Sequence, residues 1–323
     1  MVIDAASLTR KRVLRNNTSL WAASSAISVA TRKHPRRTFY DVIVVGAGIS
    51  GALMAHALSA NGLSVLVVDR RRPIRGSTLA STAMIQHEID VPLHRLTKMI
   101  GLQKAQRVWQ RSARAVEQLA SLVSDLELEC GFERKRTLFL AGDAYGARAL
   151  RAEVQARRTA DVDSAFIDPA TLRTAFGINR TGAIESNISA SANPARMTAG
   201  IFRHIQKAGV EVVMGLEVKD VRSTADQVVL ASSIGEMIAA KHVVFCTGYE
   251  FLTCLQNKNH SLISTWALAS KPHLNRPEWL DSYLVWEGAE PYLYFRSTPD
   301  GRVVLGGEDE SSENAFEDEK NLV

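Results

Sequence analysis

The chain has 323 residues, 46% of them hydrophobic and 23% charged, and this balance excludes disorder, collagen and coiled coil as the main description. The net charge is +5, but residues 1–38 hold eight Lys or Arg and one acid, which leaves 31 basic against 33 acidic residues in the remainder. The body of the protein is therefore nearly neutral, and we expect no nucleic-acid partner.

Residues 1–39 form a basic leader that is rich in Ser, Ala and Arg. This composition predicts a poorly ordered extension, and it is also typical of an organelle transit peptide. The three cysteines, Cys130, Cys246 and Cys254, form no CxxC pair and no even disulfide framework. We therefore expect a cytoplasmic protein, with organelle targeting through the leader as the alternative.

A strand, a turn, a helix and a second strand follow the leader. The β-branched run Val42–Val45 leads directly into the glycine loop Gly46-Ala47-Gly48-Ile49-Ser50-Gly51. A helix with apolar periodicity ends at Asn61-Gly62, and the strand Val65–Val68 ends at Asp69. This order is the βαβ unit of a dinucleotide-binding fold. The interruptions within residues 42–68 argue against a membrane span.

The glycine loop has the residues that bind a dinucleotide phosphate. Gly46 is expected to allow the tight turn, Gly48 to let backbone amides approach the pyrophosphate, and Gly51 to let helix and strand pack closely. The helix N-terminus adds a partial positive charge. Asp69, 18 residues after Gly51, is expected to accept hydrogen bonds from the ribose, which fits FAD or NAD better than NADP. The run Arg70–Arg72 predicts solvated loop residues, or one guanidinium stacked on the adenine.

Several later motifs belong with this loop: Asp69-Arg70-Arg71, the segment from Gly76 to Met84, Glu88-Ile89-Asp90, Val243–Tyr249, Tyr292–Arg296, Thr298–Arg302 and Gly306-Gly307-Glu308. Together they resemble the D-amino-acid oxidase, glycine oxidase and sarcosine oxidase superfamily of FAD-dependent oxidoreductases, over residues 40–310. The resemblance implies FAD as the cofactor. It also implies an α/β fold, with a Rossmann-like FAD-binding domain and a second α+β substrate domain, truncated at the C-terminus.

The resemblance extends the expected cofactor contacts beyond the glycine loop. Hydroxyls and backbone amides that would hold the pyrophosphate or the flavin ring are those of Ser77, Thr78, Ser81 and Thr82. A helix N-cap cluster is the alternative for these four residues. Thr247 and Gly248 would let the flavin chain approach, Val218 would offer its backbone to the adenine, and Arg70 is the guanidinium placed beside the cofactor.

The resemblance implies that the motifs from Tyr292 to Glu308 form a hairpin of the substrate domain. Two residues of this hairpin are the candidates for contact with a substrate. The carboxylate of an amino-acid substrate favours a bidentate guanidinium, and Arg296 is the candidate for that role. Tyr294, or Tyr292, would add a hydroxyl. The alternatives are a surface strand residue for Arg296 and strand packing for the tyrosines. No histidine has a Cys or second His at ligand spacing, so no metal is predicted.

Periodicity and capping signals predict the remaining elements. Residues 91–126 predict two helices, residues 137–140 a strand, and residues 144–159 a helix whose alternating charges indicate a solvated face. Asp168-Pro169 and Asn193-Pro194 each predict the start of a helix. Further strands are expected at 210–213, near 218–221, at 228–230 and at 238–246.

These elements predict discontinuous domains. The FAD-binding domain is expected at 40–91 and 165–254, the substrate or cap domain at 92–164 and 255–310, and an acidic tail at 311–323. The expected reaction is oxidation of a primary or secondary amine, in particular an amino acid, by hydride transfer to flavin N5, with an unknown electron acceptor. No Gly-rich arm of the family type follows Glu308, so a truncated FAD-binding protein without activity is the alternative, and an NAD(P)-binding module is the weaker one.

Overall fold

A computed structural model describes residues 19–23, 27–250, 252 and 261–311 of the chain. Contacts between Cα atoms divide the described residues into two compact units. The first contains those up to Ser81, Leu126–Cys130 and those within Asn193–Leu262, and the second contains Thr82–Asp125, Gly131–Ala192 and those from Ile263 onward. None of the helices in these ranges has both the length and the apolar character needed to cross a membrane.

Fourteen strands and six α-helices lie within the described residues of the two units. In chain order the strands are β1 (Phe39–Val45), β2 (Val65–Asp69), β3 (Met84–Gln86), β4 (Glu133–Ala141), β5 (Ala165–Ile167), β6 (Ala183–Ser191), β7 (Glu211–Met214), β8 (Val218–Ser223), β9 (Val228–Ser232), β10 (Met237–Phe245), β11 (Ser264–Ala269), β12 (Tyr283–Gly288), β13 (Leu293–Ser297) and β14 (Val303–Glu310). The helices are α1 (Ile49–Ala60), α2 (Leu93–Ile100), α3 (Leu102–Asp125), α4 (Ala147–Thr159), α5 (Pro169–Thr171, continued by a π-helical turn Leu172–Phe176) and α6 (Pro194–Lys207).

The first unit contains a six-stranded sheet in the order β7-β2-β1-β10-β9-β8. Strands β7, β2, β1 and β10 are parallel to one another, whereas β9 is antiparallel to β10 and β8 is antiparallel to β9. The central strand is fully buried at Ile43 and Val44, as expected for a strand covered on both faces. The predicted βαβ unit is confirmed in β1, α1 and β2, and β10 returns the chain to β1 as predicted.

The second unit contains an eight-stranded sheet in which β5 pairs with β6 beside the path β11-β14-β13-β12-β4-β6-β3. The predicted hairpin is confirmed: β13 and β14 are antiparallel, with Arg296 opposite Val304. Strand β12 joins this hairpin to β4 by a parallel pairing. Five strands of this sheet, β3, β5, β6, β11 and β12, were not expected from the sequence.

Both helices that were predicted to begin with a proline after a capping residue are confirmed. The Asp168 carboxylate accepts the backbone N–H groups of Ala170 and Thr171, each at 2.9 Å. Asn193 caps α6 by accepting the N–H of Arg196 at 3.0 Å. The two helices predicted within 91–126 are α2 and α3.

The boundaries of the units differ from the expected domains in both directions, because Leu126–Cys130 and residues 261–262, expected in the substrate domain, lie in the first unit. Residues 82–91 and 165–192 belong to the second unit, whereas the sequence indicated the FAD-binding domain. The reason is strand pairing, because β3 and β5 both pair with β6, and β6 pairs with β4. These pairings place the three strands in the second sheet.

The described part of the leader is packed rather than free, which corrects the expectation for that part. The Trp21 side chain is 8% exposed, and its indole N–H donates to the Ser81 carbonyl at 2.6 Å. Further along, Arg32 forms a parallel bridge with Val213, so the leader extends the edge of β7. Residues 1–18 and 24–26, and all of the acidic tail except residue 311, lie outside the described residues.

A buried ion network takes the place of the solvated face predicted for α4. Arg157 is fully buried; its Nε donates to Glu153 at 2.8 Å and its Nη1 to Glu88 at 3.2 Å. Glu153 also accepts the backbone N–H groups of Leu93 and His94, each at 2.9 Å, at the start of α2. Burial alone would raise the pKa of Glu153, but these partners lower it. Arg148 and Arg151 are exposed as predicted, but the prediction was wrong for Glu153 and Arg157, because these paired charges share the core face of α4.

We expect Arg157→Met to destabilise the protein by about 3–5 kcal/mol, because Glu88 and Glu153 would remain buried without their cation. Arg148→Met is the matched control, since Arg148 is exposed on the same helix, and it should change stability by less than about 0.5 kcal/mol. Urea denaturation followed by circular dichroism measures both values. Equal effects of the two substitutions would contradict a structural role for the network.

Candidate active site

The glycine loop of the first unit packs main chain directly against main chain. Gly46 has φ of 114°, a left-handed conformation that favours glycine. A Cβ atom at Gly46 would overlap the carbonyl oxygen of Cys246, and a Cβ at Gly51 would overlap the carbonyl oxygen of Gly46. Both glycines are therefore required by space, as the sequence predicted for a turn and for close packing of helix and strand.

Gly48 leaves the N-terminus of α1 accessible. It is the N-cap residue, its backbone is extended, and no side chain caps the helix from this position. The hydroxyl of Thr78 accepts the N–H of Ile49 at 3.0 Å, and a Cβ at Gly48 would lie 3.0 Å from the same hydroxyl. Ser50, in the first helical turn, is exposed. This end of α1 has the amides and dipole that a pyrophosphate requires.

Asp69 is fixed by the backbone at the end of β2. One carboxylate oxygen accepts the N–H of Ala47 and the other accepts the N–H of Arg71, each at 2.8 Å. Burial raises the pKa of Asp69, and these two hydrogen bonds oppose the rise. Because each carboxylate oxygen has a second lone pair, both can still accept a ribose hydroxyl.

The first two arginines after Asp69 form ion pairs with Glu250, an acid that was not among the residues predicted from the sequence. Arg70 forms an ion pair with Glu250, and Arg71 donates to both carboxylate oxygens of Glu250 at 2.9 and 2.7 Å. Arg72 is exposed, as predicted. The sequence signal that could have identified Glu250 is its position two residues after Gly248, shortly after the end of β10, which pairs with β1.

The remaining predicted cofactor residues of the first unit lie around the same loop or in its sheet. The hydroxyl of Ser77 would be 3.7 Å from a Cβ at Gly248. Thr247 and Gly248 follow the Cys246 carbonyl that contacts Gly46. Val218 is buried at the start of β8, in the core of the first sheet. Its backbone contact with adenine stays a prediction.

Two of the four hydroxyl residues differ in position from Ser77 and Thr78. Ser81 is exposed, and its carbonyl accepts the indole N–H of Trp21. Thr82 begins the second unit, where its carbonyl accepts a hydrogen bond from Arg296 at 2.8 Å. Their contacts with a cofactor stay predictions.

Arg296 is a buried cation on β13 of the second unit. Its side chain is 2% exposed; Nε donates to the Thr82 carbonyl and Nη1 donates to the Ser297 carbonyl, both at 2.8 Å. Burial lowers the pKa of Arg296 to about 10, so the guanidinium is still charged at neutral pH. The alternative of a surface strand residue is therefore wrong.

Tyr294 lies two residues before Arg296 and on the same face of β13. Its ring covers Gly306 of β14, where a Cβ atom would overlap it, and it stacks on Tyr292 with ring centres 5.8 Å apart. The Tyr292 hydroxyl donates to Asp309 at 3.2 Å, and burial, followed by the charge of Asp309, raises the pKa of Tyr292. The Tyr292 phenol is therefore neutral at physiological pH.

The sequence model of the DAO family, FAD dependent oxidoreductase, matches residues 41–322. Because the match covers most of the chain, the protein belongs to this family of FAD-dependent oxidoreductases. The predicted cofactor, FAD, is confirmed by this membership, which replaces the alternative of an NAD(P)-binding module.

The chain is also similar in sequence to a bacterial protein. The chain is 19% identical over 243 residues to the proposed Rieske 2Fe-2S iron-sulfur protein YhfW of Bacillus subtilis (strain 168), and the match covers 74% of this chain but 46% of YhfW. The chain thus spans less than half the length of that relative.

Two solved structures have the same fold. L-proline dehydrogenase from P. horikoshii is 17% identical with a TM-score of 0.65, over 82% of this chain and 68% of its own. Glycine oxidase from Geobacillus kaustophilus is 18% identical with a TM-score of 0.64, over 85% and 72%. These similarities confirm the predicted fold class.

We expect Gly48→Val to abolish retention of FAD with little loss of fold, because the added side chain meets only the movable Thr78 hydroxyl but blocks approach to the amides of α1. Gly146→Val is the matched control, since Gly146 is also an extended N-cap glycine with open space around it. Flavin absorbance of the purified variants and their thermal midpoints measure the two effects. Full flavin content in Gly48→Val would contradict the placement of the pyrophosphate.

Proposed function

We propose that the protein oxidises a primary or secondary amine, in particular an amino acid, by transfer of a hydride from the carbon that bears the nitrogen. Bound FAD supplies the hydride acceptor at N5 of its ring. The amine becomes an imine, which water hydrolyses to a keto or aldehyde product. The names of the structural relatives, a proline dehydrogenase and a glycine oxidase, support this substrate class.

The residues around the glycine loop support the cofactor part of the proposal. The exposed N-terminus of α1 would hold the pyrophosphate, and Asp69 would accept the ribose hydroxyls. Ser77, Thr247 and Gly248 would line the adjoining chain of the cofactor. This set requires no metal ion, and its polar atoms are the donors and acceptors that FAD needs.

The observation that carries the substrate assignment is the buried guanidinium of Arg296. Main-chain carbonyls accept hydrogen bonds from Nε and Nη1 and so orient the guanidinium. A cation of this kind at low dielectric attracts a carboxylate strongly. We therefore assign Arg296 to the carboxylate of the substrate and the Tyr294 hydroxyl to a second hydrogen bond with it.

Addition of the substrate amine without oxygen should bleach the flavin absorbance of the purified protein, because the hydride reduces the cofactor. A panel of amino acids and their decarboxylated amines, measured by stopped flow, identifies the substrate class. Retained flavin with no bleaching by any member would instead support the alternative, an FAD-binding protein without activity.

Arg296→Leu should reduce kcat/KM for an amino acid by about 10–100-fold, the equivalent of the 1.5–3 kcal/mol that a charged hydrogen bond contributes. The loss should fall on KM and should be much smaller for the amine that lacks the carboxylate. The ratio of the two kcat/KM values distinguishes a lost contact with the substrate carboxylate from a general defect in folding. An equal loss for both substrates would restrict Arg296 to a structural role.

A further inference from the structure

The junction of α2 and α3 presents apolar side chains to solvent. The side chains of Met99, Ile100 and Leu102 are 69%, 40% and 54% exposed. Val108, further along α3, is 40% exposed. Gly101 between the helices has φ of 84°, and a Cβ there would meet nothing within 4 Å. We call residues 98–111 the basic corner. Isolated exposed apolar residues are common, but four within ten positions form a patch.

Basic side chains flank this patch in the sequence. Residues 91–116 contain six Lys or Arg and no Asp or Glu. Within the basic corner these are Lys98, Lys104, Arg107 and Arg111, all exposed, and none forms an ion pair with a residue that the structure describes. Positions 104, 107, 108 and 111 follow helical i, i+3, i+4 and i+7 spacing, so they lie on one face of α3.

The opposite face holds the basic corner in place. Ala105 and Trp109 are fully buried, and they pack with Leu93 of α2 and with Ala160 and Val162. The exposed residues therefore project from helices anchored in the core of the second unit. Because the helices are anchored, docking would require no folding of the basic corner.

We propose that the basic corner binds the surface of an anionic lipid bilayer, with Met99, Ile100 and Leu102 inserted among the headgroups and the four basic side chains on the lipid phosphates. Apolar residues flanked by Lys and Arg are the composition of interfacial membrane-binding segments. A nucleic acid would use the charges but not the apolar turn. A second copy docked by two-fold symmetry would bring like charges together.

Vesicle sedimentation of the full chain tests this proposal. Binding to phosphatidylcholine vesicles that contain phosphatidylglycerol should exceed binding to pure phosphatidylcholine at least tenfold, because each basic residue near an anionic surface contributes a factor of about five. Salt should weaken it, since the Debye length falls from about 10 Å at 0.1 M to about 3 Å at 1 M.

Two double variants separate the apolar and the electrostatic parts. Met99→Ser with Leu102→Ser, and Lys98→Glu with Lys104→Glu, should each reduce binding at least tenfold. The matched controls are Met237→Ser, which removes an apolar side chain that is 66% exposed elsewhere, and Lys207→Glu with Lys271→Glu, which reverses two other exposed lysines. The controls should bind as the unaltered chain does.

Three results would overturn the proposal. Sedimentation that depends on the lysines but not on Met99 and Leu102 would indicate simple adsorption to a polyanion. Concentration-dependent self-association that the serine variant abolishes would assign the basic corner to a second copy. Vesicle binding that occurs only after removal of residues 312–323 would mean that the acidic tail, and not a membrane, is the partner of the basic corner in the full chain. Circular dichroism of each variant verifies folding.

Discussion

The main-chain contact at the end of β1 is the constraint on which the first unit depends. Gly46 meets the carbonyl of Cys246, and Gly51 meets the carbonyl of Gly46. The first contact requires β10 to lie beside β1, and the second brings α1 against the end of the strand. The resulting turn leaves the amides at the start of α1 accessible at Gly48, while Ala47 donates its N–H to Asp69. Strand order and phosphate site therefore follow from the same close approach.

The sequence predicts this region well because its signals are local. A β-branched strand, a glycine turn, a helix stop and an acid lie within residues 42–69, and each has a conformational requirement that does not depend on distant partners. The hairpin of β13 and β14 is instead expected from the resemblance of its motifs to the oxidase superfamily. Strands β3 and β5 have three residues each, and they exist because β6, many residues away, offers a pairing edge. No local pattern contains that information.

The face of α4 illustrates a second limit. Charges at 153 and 157 indicated solvent, yet they lie on the helical face that contains the buried Leu150 and Val154. Periodicity identifies residues that share a face, but partners elsewhere decide whether a charge on it is buried. Here the partner is Glu88, which is 69 residues before Arg157 and also accepts the Thr137 hydroxyl at 2.7 Å. A buried arginine with two carboxylates is stable only as a complete set.

Charge balance over the whole body hides local charge in the same way. Residues 91–116 hold six basic side chains and no acidic one, whereas residues 308–319 hold seven acidic ones and no basic one. The two segments nearly cancel in the sum, and the sum led to the expectation of a body without a basic surface. Electrostatic interactions in solution decay over about 10 Å at 0.1 M salt, so a partner responds to the charges near it and not to the total. The exposed cations of the basic corner, which pair with no acid among the described residues, are therefore available to an anionic surface even though the folded chain is close to neutral.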